Sequence, residues 1–190
     1  RLFPLTRDRA KPAVPVAGRV RLIDIPLSNC ITSGITRMFV LTQFNSVSLH
    51  QHIGATYRFD NFSEKFVRLL AAQQTPGDTE WYKGTADAVR RSLNYFLELN
   101  PDYVIILSGD QLYNLDFKDI IEQHEETKAD LTILTKPVCR DEASDLGIMQ
   151  CDKNRRINTF LEKPGPTKDI TGYRAPMYTD EKYLASMGIY

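Results

Sequence analysis

The chain has 190 residues, 42% of them hydrophobic, and its 24 lysines and arginines are balanced by 24 aspartates and glutamates. That length can bury a sizeable core and makes one domain the default. Zero net charge excludes a global pull toward nucleic acid or an anionic membrane, so any affinity for phosphate must be local. No stretch approaches the ~18 apolar residues of a membrane span, and Cys30, Cys139 and Cys151, far apart in sequence, make neither a disulfide scaffold nor a zinc site and suit a reducing compartment.

The opening carries Arg1, Arg7, Arg9, Lys11, Arg19 and Arg21, broken by Pro4, Pro12 and Pro15. This reads as an ordered, non-helical basic segment or as a solvated loop. Met38–Thr42 is the first clear strand, and Ser46–Ile53 can form a short helix on Val47, Leu49 and Ile53. His50 and His52, two residues apart, would leave such a helix on different faces, which argues against a histidine metal site. Phe66–Ala72 is ambiguous between strand and helix end. Thr85–Leu99 patterns as one helix with Ala86, Val89, Leu93, Phe96 and Leu97 on one face, stopped by Asn100-Pro101.

Tyr103–Ser108 then reads as a strand buried on both faces of a parallel sheet. Asp116 can cap a helix carrying Phe117, Ile120, Ile121 and His124 on one side, and Leu131–Thr135 is the next strand. This alternation predicts βαβ units and a mostly parallel sheet. After Pro137 the strands shorten: Gly147–Cys151 and Ile157–Glu162, joined through Asp152-Lys153-Asn154, predict an antiparallel extension. Residues 164–180, rich in Pro and Gly, read as a mobile surface loop. Ala185–Tyr190 reads as the opening of another strand, and both ends of the chain look cut.

Gly109-Asp110 is the most informative pair. It puts a carboxylate at the carboxyl edge of the Tyr103–Ser108 strand, where open α/β sheets bind phosphates and metals. A turn or helix-capping aspartate is the alternative. Gly84-Thr85-Ala86 opens the Thr85 helix with small residues, which permits close backbone approach and leaves amides free at its N-terminus. Gln73 has an amide able to read a base, and Trp81 either packs or serves a binding loop.

Seven runs carry a resemblance: Arg1–Thr6, Arg9–Pro15, Asp24–Cys30, Trp81–Ala88, Ser108–Tyr113, Phe160–Pro164 and Ser186–Tyr190. Together they resemble the ADP-glucose pyrophosphorylase (glucose-1-phosphate adenylyltransferase) family nearly end to end. The resemblance implies a Rossmann-like nucleotidyltransferase domain of the α/β class, a mostly parallel sheet with helices on both faces and a small antiparallel extension. Residues 1–190 would be an incomplete catalytic domain. The first strand and Gly-rich loop would precede Arg1, and the second metal-ligating aspartate and a C-terminal β-helix would follow Tyr190. It further implies a homo- or hetero-tetramer, cytoplasmic in a bacterium or plastidic in a plant, with no nucleic-acid or membrane partner.

The implied reaction takes ATP and glucose 1-phosphate to ADP-glucose and pyrophosphate with Mg²⁺, for glycogen or starch synthesis. It needs no protein nucleophile, because the sugar phosphate is already deprotonated near pH 7, so fixed cations should outnumber acid–base groups. By resemblance, Asp110 holds Mg²⁺, and Lys163 meets the phosphate of glucose 1-phosphate with Glu162 beside it on sugar hydroxyls. Tyr82, Gly147 and Ser186 contact the glucosyl phosphate, and Arg1 and Lys11 grip the triphosphate. Gln73, Gly84, Thr85 and Ala86 fall to the nucleotide, and Arg9, Arg21 and Arg90 to an effector. Asp8 stands where several relatives carry lysine, which leaves the effector open. Two alternatives stay in view: a non-catalytic regulatory subunit, and a pyrophosphorylase using another base. A sugar-retaining glycosyltransferase would want an Asp-x-Asp pair, which Asp110-Gln111-Leu112 lacks.

Overall fold

A computed structural model describes residues 2–60, 62–72 and 81–190. The chain divides into two compact units, Arg1–Val104 with Gly109–Gln123, and Ile105–Ser108 with His124–Tyr190.

In the first unit residues 2–21 of the basic opening are non-helical apart from one 3-10 turn, Lys11–Ala13, with Pro12 at its start. A two-residue hairpin follows, β1 (Pro15–Val16) against β2 (Val20–Arg21). Helix α1 (Asp24–Thr32) carries Pro26 in its first turn, where a missing N–H costs nothing. It closes with the Gly34 and Ile35 amides donating to the Ile31 and Cys30 carbonyls, a Schellman pair that satisfies the last free acceptors. Burial pushes the Cys30 thiol up to about 11, so this cysteine is a packing residue with little thiolate at neutral pH.

Strand β3 (Arg37–Thr42) pairs parallel with β4 (Phe66–Ala71), which resolves the ambiguous Phe66 run as strand. Met38, Val40 and Thr42 share one buried face. On the other, Phe39 packs edge-on to Phe66 and tilted against Phe96, each at 5.2 Å. Helix α2 (Val47–Thr56) buries Leu49 and Ile53 and runs a little longer than expected.

The expected Thr85–Leu99 helix is two helices, α3 (Thr85–Arg91) and α4 (Leu93–Leu97). Ser92, 2% exposed, sits at the break, with its N–H donating to both Ala88 and Val89 carbonyls. The break turns the apolar face: Phe96 is buried, whereas Leu93 and Leu97 are exposed. Helix α5 (Phe117–Thr127) starts in the first unit and ends in the second, with Asp116 accepting from the Lys118 N–H as the sequence suggested.

The second unit is built on a four-stranded antiparallel sheet in the order β5 (Thr135–Val138), β8 (Tyr183–Ser186), β6 (Gly147–Cys151), β7 (Ile157–Glu162). A four-residue helix, α6 (Arg140–Ala143), separates β5 from β6. Val138, Ala143, Ile148, Ile170, Tyr183 and Ala185 form its core. The β6–β7 hairpin turns through Asp152, whose Oδ1 accepts the Asn154 and Arg156 N–H groups.

Three expectations change here. Tyr103–Ser108 forms no named strand and joins no parallel ladder among the described residues. Ile106 and Tyr190 exchange backbone bonds at 2.9 and 3.0 Å, and Leu107 bridges Ile189 antiparallel. An apolar run advertises burial but not the direction of its neighbour, and Tyr103 and Val104 are in fact each 48% exposed. The Leu131 strand begins at Thr135, with Leu134 already bonded to Met187 and Ile189. The 164–180 segment is anchored, because Ile170 is 2% and Ala175 4% exposed and the Arg140 guanidinium reaches carbonyls at residues 165, 166 and 168. Pro and Gly signal irregular backbone, not looseness. The mixed α/β class stands, with its antiparallel part larger than the patterning suggested.

Candidate active site

In the first unit Asp110 and Lys11 come together, Nζ to Oδ2 at 3.3 Å, both partly open to solvent. A Cβ on Gly109 would lie 3.1 Å from Ile23 Cδ1 and 3.5 Å from Pro12 Cγ. A methyl there would ask the Ile23 side-chain tip to give by a few tenths of an ångström, while Pro12 lies at ordinary contact distance, and the Lys11 ammonium meets a carboxylate ninety-nine residues on. The chain that follows Asp110 is tied to α1 and to its C-cap residue. Asn29 Nδ2 donates to the Tyr113 carbonyl at 3.0 Å, and Ser33 Oγ accepts the Phe117 N–H at 2.8 Å. Both Asn29 and Ser33 are buried polar residues, and the bond of Asn29 gives the Ser28-Asn29-Cys30 run a structural role. Burial, then the neighbouring Cys30, pushes the Tyr113 hydroxyl up to about 12.

Asp24, 8% exposed at the start of α1, gathers three polar partners. It accepts from the Arg21 N–H at 2.7 Å and the Tyr57 hydroxyl at 2.8 Å, with His52 Nε2 2.7 and 2.8 Å from its two oxygens. Burial and the Asp24 bond raise the Tyr57 pKa well above the ordinary phenol range. None of Asp24, Asn29, Ser33 and His52 has a bonding role that the sequence alone assigns. For Asp24 and Asn29 the signal is a polar residue among the apolar positions of α1, whereas Ser33 follows α1 and His52 lies on α2.

Of the residues assigned to an effector, Arg21 has one guanidinium nitrogen on the Ser48 carbonyl and hydroxyl at 2.6 and 2.7 Å. Arg90 binds Asp87 at 2.8 Å, and Arg91 binds the same carboxylate at 3.0 Å. The Lys83 N–H and then these arginines hold Asp87 below the usual carboxylate range. Arg9 is half-buried. Gly84 is the cap of α3 and Thr85 and Ala86 are its first residues, with Tyr82 half-buried just ahead. Trp81 packs against Phe44 with ring centroids 5.2 Å apart while remaining half exposed. Arg1 and Gln73 lie outside the described residues.

In the second unit, Gly147, Glu162, Lys163 and Ser186 gather at one end of the four-stranded sheet. The register pairs Gly147 with Glu162 and Ile148 with Ala185, which brings Ser186 to the same end as Gly147. A Cβ on Gly147 would lie 2.5 Å from Phe160 Cζ and 2.8 Å from Glu162 Oε2, so the glycine makes room for the Glu162 carboxylate. Lys163 Nζ is 3.3 Å from Glu162 Oε1, and its backbone is left-handed, φ +41°. Ser186 Oγ accepts the Gly188 N–H at 3.1 Å.

Each unit thus offers a solvent-facing lysine paired with a carboxylate at 3.3 Å, a combination suited to polyanions and to cations that accompany them. The chain matches the nucleotidyl transferase family over residues 1–190, its whole length. Its mixed α/β architecture is the Rossmann-like fold of that family, and the chain belongs to the nucleotidyl transferases.

Proposed function

We propose that this protein makes ADP-glucose and pyrophosphate from ATP and glucose 1-phosphate. The family supports nucleotidyl transfer of the sugar-nucleotide pyrophosphorylase kind. The adenine and glucose assignments rest on the resemblance of the Trp81–Ala88 and Asp24–Cys30 runs. The observation that carries the reading is the convergence of Gly147, Glu162, Lys163 and Ser186 on one sheet end, four residues assigned to the sugar phosphate from scattered positions in the sequence.

The chemistry asks little covalent work of the protein. A phosphate oxygen of the sugar attacks the α-phosphorus of the nucleotide in line and pyrophosphate leaves, so the protein orients two polyanions and balances their charge. Lys163 receives the sugar phosphate and Glu162 the sugar hydroxyls. Lys11, with Arg1, meets the triphosphate.

Mg²⁺ accepts one or two carboxylates and leaves its other positions to phosphate oxygens and water. Asp110, with an accessible carboxylate, fits as such a ligand, and among the described residues no group of three or more metal-binding side chains offers a closed site. When bound, the ion would neutralise charge developing on the leaving phosphates. Arg9, Arg21 and Arg90 as an effector site, and a tetrameric assembly, belong to the same proposal.

The test is pyrophosphate release from the native protein with glucose 1-phosphate and ATP, dTTP or UTP in turn. Turnover with ATP well above the other two is expected. Preference for dTTP or UTP moves the protein to a pyrophosphorylase with another base. Absence of turnover, with ATP binding retained, favours a regulatory subunit.

A further inference from the structure

Lys163 sits in a conformation it would not choose. A lysine has no intrinsic gain from φ +41°, and the Pro164 that follows restricts it further. Such a backbone persists only where its surroundings over-determine it. Two of the fixing contacts are backbone bonds: the Lys163 N–H donates to Leu146 O at 3.1 Å, and the Gly165 N–H to Ser144 O at 3.0 Å. A third comes from a side chain. Arg140 Nη2 donates to the carbonyls of Gly165, Pro166 and Lys168 at 3.4, 2.9 and 2.7 Å. Arg140 is itself fixed as the first residue of α6, whose reciprocal cap has the Cys139 N–H donating to Glu142 Oε2 at 3.3 Å. The residue therefore ties the start of α6 to the loop that leaves Lys163.

We infer that Arg140 is a positioning residue for the sugar phosphate: by clasping residues 165–168 it holds Lys163 in the left-handed conformation that presents its ammonium. This rests on the proposed role of Lys163. Three carbonyls converge on one nitrogen, which has two protons to share among them. An ammonium, a single nitrogen with three donors, can take that place, whereas a neutral side chain of similar length cannot.

The experiment compares Arg140→Met, Arg140→Lys, Lys163→Ala and the Arg140→Met/Lys163→Ala double variant in the native protein. The readouts are KM for glucose 1-phosphate, KM for the nucleotide the wild type uses, and thermal unfolding. Arg140→Met is expected to raise KM for the sugar phosphate about tenfold with the nucleotide KM within about twofold, since a slight misplacement of a binding group is costly. Arg140→Lys should recover most of that loss. On the Lys163→Ala background, Arg140→Met should add nothing. If it is not recovered folded, Arg140→Gln takes its place against Arg140→Lys.

An unchanged sugar-phosphate KM in Arg140→Met, beside a raised one in Lys163→Ala, overturns the inference and leaves the role of Lys163 intact. Equal rises for both substrates, or additivity in the double variant, also overturn it by showing a general structural effect. An unchanged KM in Lys163→Ala overturns the role of Lys163, and the inference falls with it.

Discussion

The two units build their candidate sites by different means. In the first, Asp110 comes from a turn and Lys11 from a 3-10 turn, and buried polar groups tie down the chain near them in sequence: Asn29 and Ser33 hold the segment after Asp110, and Asp24 gathers three donors at the start of α1. In the second, Gly147, Glu162 and Ser186 are placed by strand register, and only Lys163 needs a special backbone conformation. A ladder places side chains through many equivalent bonds, so losing one contact shifts them little. A loop fixed by a few buried polar contacts is more exposed to a single loss, because each orphaned group carries its full desolvation cost.

Substitutions can sharpen or break that contrast. The largest effect is expected for Asp110→Asn, which should lower pyrophosphate release roughly a thousandfold, about 4 kcal/mol, while nucleotide binding measured by titration stays within about tenfold. Near-normal turnover would remove Asp110 from the chemistry. His52→Ala comes next: with a buried carboxylate losing a partner, a denaturant melt should show a loss of about 2 kcal/mol. A loss below about 0.5 kcal/mol would mean that the polar base of the first unit is not what holds it.

Lys163→Arg should raise KM for glucose 1-phosphate about tenfold with little change for ATP, because a planar fork replaces a compact ammonium poorly. Equal changes for both substrates contradict its assignment. Gly147→Ala should be milder. Phe160, 45% exposed, can swing outward, so the melt should barely move while the displaced Glu162 raises KM for the sugar phosphate by roughly threefold, under 1 kcal/mol. A stability loss without a kinetic one would show that the sheet end is only structural.

The smallest effect is in acid. The Lys83 N–H with Arg90 and Arg91 holds Asp87, and the Lys118 N–H with the Ser33 hydroxyl holds Asp116, below the ordinary value of 3.8. A carboxyl whose folded pKa is depressed contributes stability above its unfolded value and loses it as pH falls through the folded one. Unfolding midpoints should therefore be insensitive to these groups near neutrality and fall below about pH 4. Asp87→Asn should shallow that fall, and an unchanged acid limb would contradict the arrangement.

Much of the candidate site was legible as chemistry, its roles being proposals, because its residues belong to short contiguous runs. Lys11-Pro12, Gly109-Asp110 and Glu162-Lys163-Pro164 each combine a charged group with the glycine or proline that shapes its backbone, and such local chemistry is written in order along the chain. The β6–β7 hairpin and the Asp116 cap were legible for the same reason. The expected roles of Arg1 and Gln73 fall on positions outside the described residues.

What the sequence determined by itself was the α/β class, the β6–β7 hairpin, the starts of the helices at Thr85 and Phe117 and the chemical identity of the candidate groups, all set by propensity, periodicity and turn chemistry within a few residues. Tertiary structure alone decided that Tyr103–Ser108 meets an antiparallel neighbour, that the helix breaks at Ser92, that Arg140 fastens the 165–168 loop, and that Asn29, Ser33 and His52 serve the segments around them. Each of these depends on a partner tens of residues away or on how a buried polar group finds a bond. Pattern along one chain carries no record of such distant pairings, because burial and bonding are settled only when the segments meet.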